Sequence, residues 1–202
     1  MREQNTQQRI LVEAQDLIQR FGYFGLSLQD LADRIEIRKP SLYAHYDSKE
    51  SLGVSLLKDY DKQFKLWAER MQGEAPESKL HEFFLTFERH LTLGKVSPDA
   101  ALAMDSPRLP ESMRLAHVEY LNTELKWLES VVREGQERKH FLSYQSAADL
   151  SQMILRQVIG AQVMARLTAD ISWFHRAVEE TTKQIRGQSA TVTPFIPTAI
   201  AL

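Results

Sequence analysis

Apolar residues recur at helical spacing from the start of this chain. Ile10, Leu11, Ala14, Leu17, Ile18 and Phe21 fall at i, i+1, i+4, i+7, i+8 and i+11, a stripe that suits a helix burying one face. The stripe stops at Gly22, a residue fitted to the left-handed conformation that follows many helix ends. No alternating period-2 run breaks the main body. Eight glycines and seven prolines leave too few turns for a many-stranded sandwich or barrel. The fold class is therefore all-α.

Local signals divide the helices. Ser27-Leu-Gln-Asp30 resembles a capping box and opens a short helix with Leu28, Leu31, Ala32 and Ile35 on one face. A polar turn, Glu36 to Lys39, follows, and Pro40 takes a first-turn position where its missing N–H costs nothing. Asp47-x-x-Glu50 is a second box-like start, for a long helix with Leu56, Tyr60, Phe64, Trp67 and Met71 on one side and Gly73 at its end. Further helices are expected over 78–93, 98–106, 110–134, 146–168 and 171–186, with Gly94, Gly135 and Gly187 as stops. Residues 188–202, β-branched and with two prolines, are expected to be an extended or disordered tail. These signals divide the chain into a head over 1–58, a helical body over 59–187 and the tail.

Composition bounds the chemistry. With no cysteine there is no disulfide framework, thiol nucleophile or thiolate metal site. Net charge is −2, which by itself gives no sign of a polyanionic partner. The N-terminus lacks an apolar stretch of the signal-peptide kind, and no run approaches the roughly 20 apolar residues of a membrane span. The expectation is a cytoplasmic protein without a membrane partner.

Two short helices joined by a polar turn, with an amphipathic helix before them, form the pattern of a helix-turn-helix. On a helix over 40–46, at about 100° per residue, Leu42 and Tyr46 share the inward face. Pro40, Tyr43 and Ala44 point the other way, with Ser41 and His45 on a flank. A seven-residue helix exposing a ring, a hydroxyl and an imidazole suits docking better than packing alone. Between Ile37 and Tyr46 the only charged residues are Arg38 and Lys39, and Lys49 stands at the next helix start. There a cation is unfavourable unless an anion such as phosphate joins it. The signal rests on placement, since residues 1–58 hold eight Lys/Arg and eight Asp/Glu.

Phe21-Gly-Tyr-Phe-Gly-Leu-Ser-Leu-Gln-Asp-Leu-Ala32, followed by Arg38-Lys-Pro-Ser-Leu-Tyr-Ala-His-Tyr-Asp-Ser-Lys-Glu-Ser-Leu52, resembles the DNA-binding domain of tetracycline-repressor (TetR) family regulators. The likeness covers roughly residues 6–58, most specifically Leu42-Tyr43-x-His45-Tyr46-x-Ser48-Lys49-Glu50. It implies a three-helix DNA-binding head whose fourth helix leads to a helical ligand-binding and dimerisation domain. It also implies DNA contacts at Ser27, Arg38, Lys39, Ser41, Tyr43, His45 and Lys49; the outward Pro40 joins them on the residue reading. Two positions depart from the family pattern. Glycine is common where Glu36 and Pro40 stand.

In the body, Ile154, Val158, Ala161 and Ala165 form one stripe of helix 146–168, and Met153, Gly160 and Met164 another. One face can serve its own domain and the other a second subunit. The expected dimer interface is Met153, Gln157, Gly160, Ala161, Met164, Phe174 and Val178. Candidate walls of an effector pocket are Phe64, Trp67, Met71, Phe84, Phe87, Met104 and Trp127, suited to an apolar or aromatic ligand. His90, His117, Glu88 and Glu124 are candidate polar anchors, with no choice among them. The six histidines are scattered, Glu137-x-x-His140 occurs once where a di-iron bundle needs the motif twice, and no hydrolase or P-loop motif is present. No catalytic residue, metal or cofactor is expected. The resulting expectation is a homodimeric transcriptional regulator, a repressor released from a near-palindromic operator by a small effector. The competing reading is a helical small-molecule-binding protein or enzyme whose helix-turn-helix is only structural.

Overall fold

The computed structural model describes residues 2–187, with side chains from Thr6 onward. The expected tail, 188–202, lies outside the described residues. Among the described residues the regular structure is all helical. Its elements are α1 (Arg2–Gly25), α2 (Leu28–Arg34), α3 (Lys39–Tyr43), α4 (Lys49–Arg70), α5 (Pro76–Thr92), α6 (Pro98–Ala103), a 3-10 turn (Ser106–Arg108), α7 (Glu111–Glu137), α8 (Ala147–Thr168) and α9 (Ser172–Arg186). They form two compact units, one holding the chain through Gly73 together with Gly94–Trp127, the other Glu74–Leu93 together with Leu128 onward.

The first unit has one continuous core. The α1 stripe (Ile10, Ala14, Leu17, Ile18) meets Leu31 and Ile35 of α2, Leu42 of α3 and Tyr46 beyond it, and Leu52, Leu56 and Leu57 of α4. Leu102 of α6 and Met113, Ala116 and Tyr120 of α7 complete it. Burying a leucine of this kind stabilises by about 1.5–3 kcal/mol. Helix α1 breaks at Gly22 (φ 74, ψ 175) and then turns helically once more to Gly25. Only glycine fits there comfortably, because a Cβ would also lie 2.7 Å from Asp105 Oδ2.

Several helix ends differ from the sequence reading. Ser27 caps α2, its Oγ accepting the Asp30 N–H at 3.3 Å. The long helix starts one residue later than its Asp47 signal, because Ser48 and Ser51 form the reciprocal capping box: Ser51 N–H to Ser48 Oγ at 3.0 Å and Ser48 N–H to Ser51 Oγ at 3.1 Å. Helix α3 is shorter than 40–46, since Ala44–Tyr46 close it as a turn on Pro40 and Leu42 carbonyls. The helix expected over 98–106 splits because Pro107 lacks an N–H and disfavours helical backbone before it. Gly135 is no stop, for α7 runs to Glu137. Its missing side chain instead admits the Phe141 ring, which a Cβ would meet at 2.0 Å.

In the second unit, Leu80, Phe83, Phe84 and Phe87 of α5, Leu128, Val131 and Val132 of α7, the α8 stripe, and Phe174 and Ile185 of α9 are all buried. Ile154, Val158, Ala161 and Ala165 are all buried, as their spacing predicts. The Gln162 amide donates to the Phe87 carbonyl at 3.0 Å, and Lys79 pairs with Glu134 at 2.6 Å.

Candidate nucleic-acid interface

Helix α2, the turn and α3 present a narrow polar face on an apolar base. Leu42 is fully buried and Tyr46 nearly so, which fixes the roll of α3 and leaves Arg38, Lys39, Pro40, Ser41 and Ala44 exposed. Tyr43 is 42% exposed, an uncommon state for a ring on so short a helix. His45 is half-buried on the flank. Ser27 is half-buried at the start of α2 and serves as its N-cap. The turn is held by Glu36 N–H to Asp33 O at 3.2 Å and Ile37 N–H to Ala32 O at 3.0 Å. Glu36 adopts φ 58 there, the left-handed region that costs an L-residue other than glycine or asparagine about 1–2 kcal/mol. That explains physically why this turn favours glycine.

Charge in the head is sorted by position. Arg34 lies 3.4 Å from Asp16 and 3.6 Å from Glu13. Asp16 also pairs with Lys95 at 2.6 Å and Arg20 at 2.9 Å. Burial raises the Asp16 carboxyl, but hydrogen bonds and charge from Lys95 and Arg20 outweigh it and leave it below its ordinary value. Arg9 donates to the Ile35 carbonyl at 2.8 Å, closing the C-terminal end of α2. Paired carboxylates thus sit behind the helix-turn-helix. Arg38 and Lys39 stand exposed on its face, without an ion pair among the described residues.

Lys49 lies beside this face rather than reaching freely into solvent. Its Nζ sits 4.5 Å from the Tyr23 ring centroid and 5.9 Å from that of Phe24. Burial lowers its pKa, and the Asp105 charge opposes that shift. Lys49 begins α4, whose first-turn amides add partial positive charge. The Arg108 guanidinium stacks 4.0 Å over the other neighbour, Phe24. Sequence reading missed Arg108, because it is brought here from the 3-10 turn and no local motif marks it.

The remaining expected residues divide. Phe64, Trp67 and Trp127 meet in one aromatic cluster, with centroids 5.4 Å apart for Phe64–Trp67, 5.8 Å for Phe64–Trp127 and 4.9 Å for Trp67–Trp127. Met71 is half-buried just after α4. Phe84 and Phe87 are core residues of the second unit. Met104 follows the last turn of α6 and is 88% exposed. Of the candidate anchors, Glu88 pairs with exposed His175 at 2.8 Å, His90 is half-buried, and His117 and Glu124 lie on α7 in the first unit. On α8 and α9, Met153, Gln157, Met164 and Val178 are half-buried and Gly160 is exposed. Ala161 and Phe174 instead face their own unit's core, since helical rotation carries Ala161 inward with Ile154 and Val158. Val163 and Leu167, which the stripes passed over, are 46% and 76% exposed beside Gly160.

Residues 10–55 match the model of bacterial regulatory proteins of the tetR family. A helix-turn-helix transcriptional regulator from the lacX 3' region of Lactococcus lactis subsp. lactis is 29% identical over 84 residues. That match spans 39% of this chain and 41% of that protein, under half of either. A TetR-family transcriptional regulator from Agrobacterium tumefaciens has the same fold, with a TM-score of 0.84 at 24% identity over 91% of this chain and 98% of that one. A TetR regulator from Legionella pneumophila superposes with a TM-score of 0.80 at 24% identity, over 88% and 95%. The head is thus similar in sequence to the tetR family of bacterial regulatory proteins over residues 10–55, and the fold is similar to that of solved TetR-family regulators along nearly the whole length.

Proposed function

We propose that this protein is a DNA-binding transcriptional regulator without enzymatic activity. In this reading it is a homodimeric repressor that holds a near-palindromic operator and releases it when a small effector binds. The observation that carries the reading is the face of α3: Tyr43 exposed beside Arg38, Lys39, Pro40 and Ser41, over a buried Leu42. Tyr43 and Ser41 supply base and sugar contacts, Arg38, Lys39 and Lys49 supply phosphate contacts, and Ser27 and His45 flank them. Paired subunits would set two such faces in successive major grooves, about 34–36 Å apart.

The outward strip of α8, Gly160 with Val163 and Leu167, supports the dimer, with Met153, Gln157, Met164 and Val178 at its margins. Response to an effector is supported by α6, which carries Asp99 toward the interior and is followed by Asp105 against the end of α1. An effector that prefers one placement of α6 would shift the DNA-competent population by its differential affinity. Fluorescence anisotropy with labelled duplex tests the function. Tight binding should weaken steeply with added salt; binding that salt does not weaken would remove the phosphate-contact model.

A further inference from the structure

Inside the first unit, two carboxyl groups lie where carboxylates are costly. Asp99, in the first turn of α6, is 4% exposed, and Glu124 of α7 is 3% exposed. His117 Nε2 lies 2.9 Å from Asp99 Oδ1, and the Tyr120 hydroxyl donates to Glu124 Oε1 at 2.8 Å. Their other oxygens, Asp99 Oδ2 and Glu124 Oε2, receive no donor among the described residues. The Tyr60 hydroxyl of α4, in a ring only 7% exposed, also has no partner among the described residues, and Asp99 is the strongest charge acting on it. The Tyr60 ring lies 5.9 Å from Tyr120, Tyr120 lies 6.3 Å from Phe64, and Phe64 leads to Trp67 and Trp127.

An acid pair left with unfilled acceptors costs stability unless something else uses it. Burial followed by the Asp99 charge holds Glu124 well above the ordinary carboxyl range. A proton held on Glu124 is a replaceable plug. Three unfilled oxygens match the three N–H donors of a primary ammonium, and the neighbouring rings offer π faces to the same cation and its body. An anion would meet repulsion, and a purely apolar ligand would leave the oxygens unsatisfied.

We propose that Asp99, Glu124 and Tyr60 form the anchor for an organic cation, the ammonium or amidinium group of an aromatic amine, whose body lies against Phe64, Trp67 and Trp127. The inference deepens the regulator reading by naming the chemistry of its effector. On binding, R–NH3+ enters, the proton held by Glu124 leaves to solvent, and the two carboxylates and the Tyr60 oxygen accept the new N–H donors. The groups facing the exchange are Tyr60 of α4, Asp99 of α6, and His117 and Tyr120 of α7, with Asp16 and Asp59 acting on Tyr60 from farther away.

The test uses the full chain without DNA, so it stands or falls separately from operator binding. The probes are 2-phenylethylamine, tryptamine and benzamidine, with 2-phenylethanol and trimethyl(2-phenylethyl)ammonium as controls. Binding is read by calorimetry in two buffers of different ionisation enthalpy. At least one amine or amidine should bind and release about one proton, a release read from the buffer dependence. For 2-phenylethylamine, the alcohol and the trimethylated analogue should be about tenfold weaker. Glu124→Gln, which keeps a neutral side chain of the same shape, should stay folded by circular dichroism and lose about tenfold in affinity. Asp99→Asn should weaken binding similarly. The proposal is overturned if no amine or amidine binds at millimolar concentration, if the alcohol binds as well as the amine, or if folded Glu124→Gln binds undiminished.

Discussion

Asp105 Oδ2 accepts the backbone N–H of Tyr23 at 2.7 Å and that of Phe24 at 3.4 Å. One carboxylate beyond the end of α6 thereby closes the break at the end of α1, where Gly22 leaves amides that no helix satisfies. The same residues seat Lys49, whose ammonium lies over the Tyr23 ring. Asp105→Ala should lower stability by about 1–3 kcal/mol, the usual loss for a charge-assisted bond to backbone. Asp105→Asn, which keeps an acceptor, should lose less. Urea midpoints for the two variants check this, and equal losses would show that the acceptor atom does not matter.

Lys49 and Tyr43 should fail differently on DNA. Lys49→Ala should weaken binding about equally on all sequences and reduce the salt slope by about one, the signature of one lost phosphate contact. Tyr43→Ala should leave that slope in place while cutting discrimination between operator and unrelated duplex. Anisotropy titrations at graded salt separate the two. An unchanged slope in Lys49→Ala would remove it from the phosphate contacts.

Much of this was legible in sequence because the signals are local. The α1 stripe, the Ser27 cap, Pro40 and the 3.6-residue spacing around Leu42 and Tyr46 each act within a turn or two, and the head follows them. Contacts made across the fold left no such trace. Arg108 stacks on Phe24 and Asp105 caps Tyr23 over more than eighty residues of chain, and Asp99 carried no motif. Met104 and Phe84 show the converse: apolar identity marks burial or binding alike, so a residue type alone could not distinguish solvent, core and pocket.

Acid should act on the first unit through Asp16. Its ordinary value is 3.8, and the folded protein holds it lower through Lys95 and Arg20. A depressed carboxyl stabilises fully above its unfolded value, and that contribution is lost as pH falls through the folded one. Asp16→Asn should therefore lower stability at neutral pH by about 1–3 kcal/mol and flatten the acid limb of the profile below about pH 4. Thermal melts from pH 3 to pH 7 provide the check. An acid limb unchanged in the variant would place the acid-sensitive groups elsewhere.

Gly160 offers a clean test of the dimer. A Cβ there meets nothing within 4 Å among the described residues of its own chain, and replacing a helical glycine gains up to about 1 kcal/mol of helix propensity. Gly160→Arg should leave the subunit folded and convert dimers to monomers in sedimentation velocity. A dimer of unchanged mass would move the interface away from the Gly160, Val163 and Leu167 strip.

The central claim is that α3 reads DNA as one of a symmetric pair. Selection of bound duplexes from a random library by the purified protein, followed by sequencing, tests it most directly. The account predicts one enriched near-palindrome whose half-site centres lie about 10 base pairs apart or a multiple of that, with enrichment lost in Tyr43→Ala. A library returned without any enriched motif, or the same motif enriched equally by Tyr43→Ala, would contradict it.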